Sequence, residues 1–103
     1  MIYTQLSLSY KYDTIAEAIY GREVEFFHYD FDRANFEHIL MSLPECEYRI
    51  NIKNRLSDTV AMMAQLEKTM AALAAQIDDK AAYAEAVIRT TEKRTAYKLK
   101  ENT

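Results

Sequence analysis

Residues 56–77 read LSDTVAMMAQLEKTMAALAAQI, and the spacing of their apolar side chains sets the architecture of the back half of the chain. Leu56, Met63, Met70 and Ile77 take the first place of a seven-residue repeat, and Thr59, Leu66 and Leu73 take the fourth. A repeat of about 3.5 residues keeps one seam of a helix turned toward a partner helix. The positions flanking the seam are mostly neutral: Val60, Glu67 and Ala74 on one side, Met62, Thr69 and Gln76 on the other. The apolar face is therefore broader than a charged two-stranded zipper requires, and the alanines at 64, 71, 72, 74 and 75 let another backbone approach closely. The methionines at 41, 62, 63 and 70 suit an adaptable interface, although at helical spacing they are more often ordinary core.

Downstream of Pro44 there is no further proline or glycine, and residues 61–86 contain ten alanines. Alanine is the strongest helix former, so the spacing predicts helix from residue 54 to residue 99. Unbroken, such a helix is roughly 68 Å long at about 1.5 Å per residue. The alternative is a hairpin that turns at Asp78-Asp79, with those aspartates capping a second helix from Lys80 and Ala81, Ala84 and Ile88 as its packing stripe. With no glycine to ease the turn, the projecting helix is the preferred of the two.

The front half has a different composition. Residues 1–48 hold nine acids, three bases and ten of the twelve aromatics, whereas residues 49–103 hold seven acids and ten bases. Ile2, Thr4, Leu6, Leu8, Tyr10 and Tyr12 alternate with Tyr3, Gln5, Ser7, Ser9 and Lys11, a strand pattern. A short helix over 15–20, capped by Asp13 or Thr14 and ended by Gly21, follows. Arg22–Tyr29 is rich in β-formers and reads as a second strand, with a continuing helix as its competitor. A helix over about 32–43 presents Phe36, Ile39, Leu40 and Leu43, and Pro44 closes it. Tyr48, Ile50 and Ile52 alternate with charged and polar neighbours as a third strand. The expected fold is α+β: a small N-terminal three-stranded sheet with one or two short helices (residues 1–53), then a long C-terminal helix or helical hairpin with coiled-coil character (residues 54–103), in one structural unit.

Motifs for chemistry are sparse. His28-Tyr-Asp30-Phe-Asp32, with His38 nearby, is the nearest approach to a metal-ligand pattern. The two aspartates serve equally as helix caps, so no metal is expected. A calcium loop fails for want of a glycine and a terminal glutamate at the required offsets. A single glycine excludes a phosphate-cradling loop, and no serine stands in a G-x-S-x-G elbow. Cys46, the one cysteine, lacks an internal disulfide partner and fits a reducing, cytoplasmic setting. No apolar run reaches the ~18 residues of a membrane span, and the first residues do not read as a secretory signal. Neither enzyme nor cofactor chemistry is expected.

What remains is contact. The function expected is a non-enzymatic protein–protein interaction module, an inhibitor, adaptor or regulator, that self-associates through Leu56, Met63, Leu66, Met70, Leu73 and Ile77. Glu23, Glu25, Tyr29, Asp30 and Asp32 form an acidic aromatic face for another protein, such as a basic groove on a nucleic-acid-handling protein. In size, acidity and lack of a cofactor motif the chain is similar to the small accessory inhibitors that phages and mobile elements encode, though no motif ties it to a named family. A further alternative is a nucleic-acid-binding regulator that uses Arg89, Lys93, Arg94 and Lys98 as phosphate contacts. Bases near a helix C-terminus are also favoured by its dipole, so direct nucleic-acid binding ranks below protein binding. A helix-turn-helix over 14–29 would aim Glu23 and Glu25 at phosphate, which argues against it.

Overall fold

The computed structural model describes residues 2–101, with side chains from Tyr10 onward. Among the described residues the chain forms three α-helices and no strand: α1 (Ile2–Ser42), α2 (Glu47–Ala74) and α3 (Lys80–Glu101). The expected α+β fold is therefore overturned. All three segments read as strands, 2–12, 22–29 and 48–52, lie within α1 or α2. Gly21 does not end a helix either, since α1 runs through it without a positive φ. That continuity also removes the helix-turn-helix over 14–29.

Burial explains why helix wins. Along α1 the buried or half-buried positions include Tyr12, Ile15, Ile19, Arg22, Phe26, Tyr29, Arg33, Phe36 and Leu40, continued by Leu43 just past its end, at alternating spacings of three and four residues. That is a seven-residue repeat, which a two-residue strand period cannot serve. On α2 the matching row is Ile52, Leu56, Thr59, Met63, Leu66, Met70 and Leu73, all buried or half-buried. Tyr48 and Ile50, which share a side with Ile52 in the strand reading, are exposed while Ile52 is fully buried. Tertiary packing has overridden the local β preference of these residues.

The helices form two compact units, each taking part of α1 and α2. The first comprises residues 1–21 and 72–103. Its core is Tyr12, Ile15, Ala16 and Ala86, with Ile19, Leu73, Ile77, Ala82 and Tyr83 packed around it. The projecting helix over 54–99 is replaced by the hairpin alternative: α2 stops at Ala74 and α3 starts at Lys80. Asp79 caps α3, its Oδ1 accepting from the Ala82 backbone N–H at 3.1 Å, which supplies a partner for one of the unpaired first-turn donors. The stripe Ala81, Ala84 and Ile88 is exposed, and Ala82, Tyr83, Ala86 and Thr90 face inward instead. Buried Thr90 satisfies its hydroxyl by donating to the Ala86 carbonyl at 2.9 Å.

Tyr12, in the same core, donates its hydroxyl to the carboxylate of Asp78 in the α2–α3 turn. The bond, helped by the Asp78 backbone and the Lys11 charge, holds the Asp78 carboxyl below its ordinary 3.8. It also pushes the Tyr12 phenol, further raised by burial, above its ordinary 10.0. A lowered carboxyl stabilises the fold above 3.8, and that contribution is lost as pH falls through the depressed Asp78 value. A raised phenol stabilises it below 10.0, and that contribution is lost as pH rises through the Tyr12 value. Tyr12→Phe is expected to flatten both the acid and the alkaline limb of a plot of thermal midpoint against pH. Limbs that keep their slopes in the variant place the pH dependence elsewhere.

The second unit is residues 22–71. It is an antiparallel hairpin, closed by residues 43–46 around Pro44, where the expected end of the helix is found. Arg49 donates through Nη1 to the carbonyls of Leu40 and Leu43, both at 2.7 Å, and so caps the C-terminus of α1. Arg55 stacks its guanidinium 5.2 Å from the centre of the Phe36 ring across the hairpin. Thr59 is buried in the seam with its hydroxyl donating to the Arg55 carbonyl at 2.8 Å. None of the described helices is long and apolar enough to cross a membrane.

Candidate functional site

α1 has a second apolar row in the hairpin unit. Val24, Phe27, Phe31, Ala34, His38 and Met41 follow one another at spacings of three and four residues, and every one of them is exposed. They lie on the side of the helix roughly opposite the inner row, because each row keeps the same 3.5-residue step but the two are out of phase. Phe27 and Phe31, one turn apart, are 68% and 69% exposed, and Met41 is 85% exposed. The Phe27 ring meets Phe26 of the inner row edge-on, with centroids 6.4 Å apart, which links the outer stripe to the packed seam.

Charge around this stripe is acidic. Residues 22–42 carry Glu23, Glu25, Asp30, Asp32 and Glu37 against Arg22 and Arg33. Arg33 lies within 2.9 Å of Asp30 and 2.7 Å of Glu37, and the two carboxylates raise its already basic guanidinium further. Arg22 reaches Glu25 at 3.5 Å. Glu23, on the same border of the stripe as Asp30 and Glu37, has no ion-pair partner among the described residues.

The acidic aromatic face expected from the sequence is not one face. Glu23, Glu25 and Asp32 are exposed, but Asp30 is half-buried and Tyr29 belongs to the inner row. The strand geometry that would align His28, Asp30 and Asp32 is absent, and among the described residues no three His, Cys, Asp or Glu side chains converge on a point. Within residues 22–42, Phe27 and Phe31 are the aromatic groups that stand exposed, while Phe26, Tyr29 and Phe36 are half-buried. Reading Arg22–Tyr29 with a helical period, continuous with the helix read over about 32–43, would have found them.

The helix seam is occupied within the chain. Thr59 and Leu66 are buried in a single molecule, Leu56, Met63 and Met70 are half-buried in the hairpin unit, and Leu73 and Ile77 pack on the Tyr12 core of the other unit. The basic set divides in two. Arg89 is taken by Asp13, whose Oδ1 accepts from Nη2 at 2.7 Å and Nε at 3.2 Å. Lys93, Arg94 and Lys98 line a cleft of about 500 Å³ with Tyr20, Tyr97 and Glu101. Cys46 is an exposed free thiol beside Pro44. No family model, curated protein or solved structure matches this chain.

Proposed function

We propose that the protein is a non-enzymatic docking module that holds a basic amphipathic helix of a partner protein against the outer row of α1. The observation that carries this reading is the pair Phe27 and Phe31, two large rings left in water on a helix whose other face is already packed. Burying a Phe side chain is worth about 1.5–3 kcal/mol, so covering both rings and Met41 supplies a core of affinity. Matching rows at 3.5-residue spacing are what a facing helix provides.

The border charges favour a basic occupant. A second copy of the same surface would bring five acids and two arginines against the same set, like against like. A partner with Lys or Arg beside its apolar row meets Glu23 and the acid-rich flank favourably. The module would work in the cytoplasm, where the lone exposed thiol of Cys46 stays reduced.

Photo-crosslinking from position 31 of the full chain in its native cell tests the proposal. The expected product is an adduct with a basic helical segment of one partner, and synthetic peptide of that sequence should bind the pure protein. Phe27→Ser with Phe31→Ser is expected to weaken peptide binding by at least about 2 kcal/mol, the scale of an aromatic hot spot, while leaving the helical circular dichroism intact. Binding should also weaken as salt rises. An adduct joining position 31 to the same position of another copy assigns the stripe to self-association and overturns the heterotypic reading. Binding that is indifferent to the double change removes the stripe from the interface.

A further inference from the structure

We propose that the cleft at the end of α3 binds a nucleotide unit, a phosphate held beside a flat base. Lys93, Arg94, Tyr97, Lys98 and Glu101 recur along α3 at steps of one and three residues, which gathers them on one side of the helix. Tyr20 lines this open cleft from α1. All six residues belong to the unit built from residues 1–21 and 72–103.

Arg94 is held in place. Its guanidinium stacks 3.6 Å from the centre of the Tyr20 ring, and Nη2 donates to Thr91 Oγ1 at 3.2 Å. Nη1 is buried and has no hydrogen-bond partner among the described residues. Lys93 and Lys98 have no ion pair among the described residues, in contrast to Arg89, which Asp13 neutralises. Three cations thus face one carboxylate, Glu101, around a space of about 500 Å³. That volume falls within the range of about 300–1,000 Å³ typical of small-ligand sites.

The helix dipole favours bases near a C-terminus and accounts for their sign. It accounts for neither the stacked Arg94–Tyr20 pair nor Tyr97, which stands 65% exposed at the cleft. A fixed guanidinium, exposed lysines and an open aromatic ring are the groups that take a phosphate and a stacked base together. Glu101 and the last carbonyls of α3 disfavour an anion at their end. The phosphate is therefore placed at Lys93, Arg94 and Lys98, with the base on Tyr97.

The same chemistry is offered by a free mononucleotide and by single-stranded nucleic acid, and a titration separates them. Isotope-labelled full-length protein would be followed by amide NMR as AMP, pentathymidylate, adenosine or inorganic phosphate is added. AMP or the pentamer should move the amides of residues 93–101 and of Tyr20 saturably. Saturation by AMP alone assigns the site to free nucleotides, and clearly tighter binding of the pentamer assigns it to a single strand; either supports the proposal. Tyr97→Ala should weaken binding about five- to 150-fold, the range for losing one stacked base. Lys93→Gln with Lys98→Gln should weaken it about tenfold or more, with steeper loss at low salt than at high salt. The proposal is overturned if neither ligand saturates, if binding ignores both sets of changes, or if inorganic phosphate binds as tightly as AMP.

Discussion

Shortening Leu66 to alanine is expected to destabilise the hairpin unit by about 2–5 kcal/mol, at a midpoint that does not depend on protein concentration. Leu66 is 5% exposed within one molecule, in the row that also buries Ile52 and Thr59. Truncation removes its contacts and leaves a cavity that rigid helix backbones close only in part. A loss of that size is a large share of the total of about 5–15 kcal/mol typical of a domain. Leu66→Asp goes further, placing an unpaired carboxylate in the seam, and should abolish cooperative unfolding of the unit. Val60→Ala, six residues earlier on the exposed side of α2, should shift stability by no more than about 0.5 kcal/mol.

Concentration is what makes the Leu66 result informative. If the heptad joined two chains, the folded state would be favoured by mass action and the midpoint would rise with protein concentration. A seam filled within the chain has no such term. Urea or thermal unfolding followed by circular dichroism at two concentrations about a hundredfold apart distinguishes the cases. A midpoint that climbs with concentration in the parent protein, and ceases to climb in Leu66→Ala, would return the seam to an oligomer interface.

The back half was legible because its signals agree. The 56–77 repeat, the alanines and the capping aspartates all specify helix, and Asp79 does cap α3. The choice between a projecting helix and a hairpin was not legible, because the turn over residues 75–79 is made without a glycine. Its chain direction is held by the Asp79 cap and by Tyr12 bonding to Asp78, a residue 66 positions away. No local window contains that contact.

The front half misled for a physical reason. Its inner row includes Arg22 and Arg33, which an apolar pattern search discards, and its outer row includes Phe27 and Phe31, which the same search places in a core. Arginine can serve in such a row by laying its methylenes along the seam while its charged end reaches Asp30 and Glu37, as Arg33 does. With two rows of mixed chemistry on one helix, aromatic content and short-range alternation point to strands although the burial period is 3.5. The candidate sites follow the same rule. Lys93, Arg94 and Lys98 were recognisable as a group because they lie within two turns of α3, whereas Tyr20, which completes their cleft, comes from α1.

Ile15→Ala is expected to cost the other unit about 2–5 kcal/mol, and Ala86→Leu about 1–3 kcal/mol, from opposite departures at one contact. Ile15 is buried beside Tyr12 and Ala16 on α1, and Ala86, with no exposed surface at all, faces them from α3. The first change opens a cavity in a four-residue core that has few neighbours able to fill it. The second forces three carbons into a place where a methyl group already fills the space between helices, so α3 must shift or side chains must leave their preferred rotamers. Because the two residues belong to one cluster, their effects should not add. The double variant is expected to recover part of the loss, since the leucine at position 86 can enter the space that Ile15 vacates. Chemical unfolding of the four proteins of this cycle measures the coupling. Recovery of about 0.5 kcal/mol or more places Ile15 and Ala86 in direct contact across α1 and α3, whereas simple additivity would mean that α3 does not rest on this face of α1.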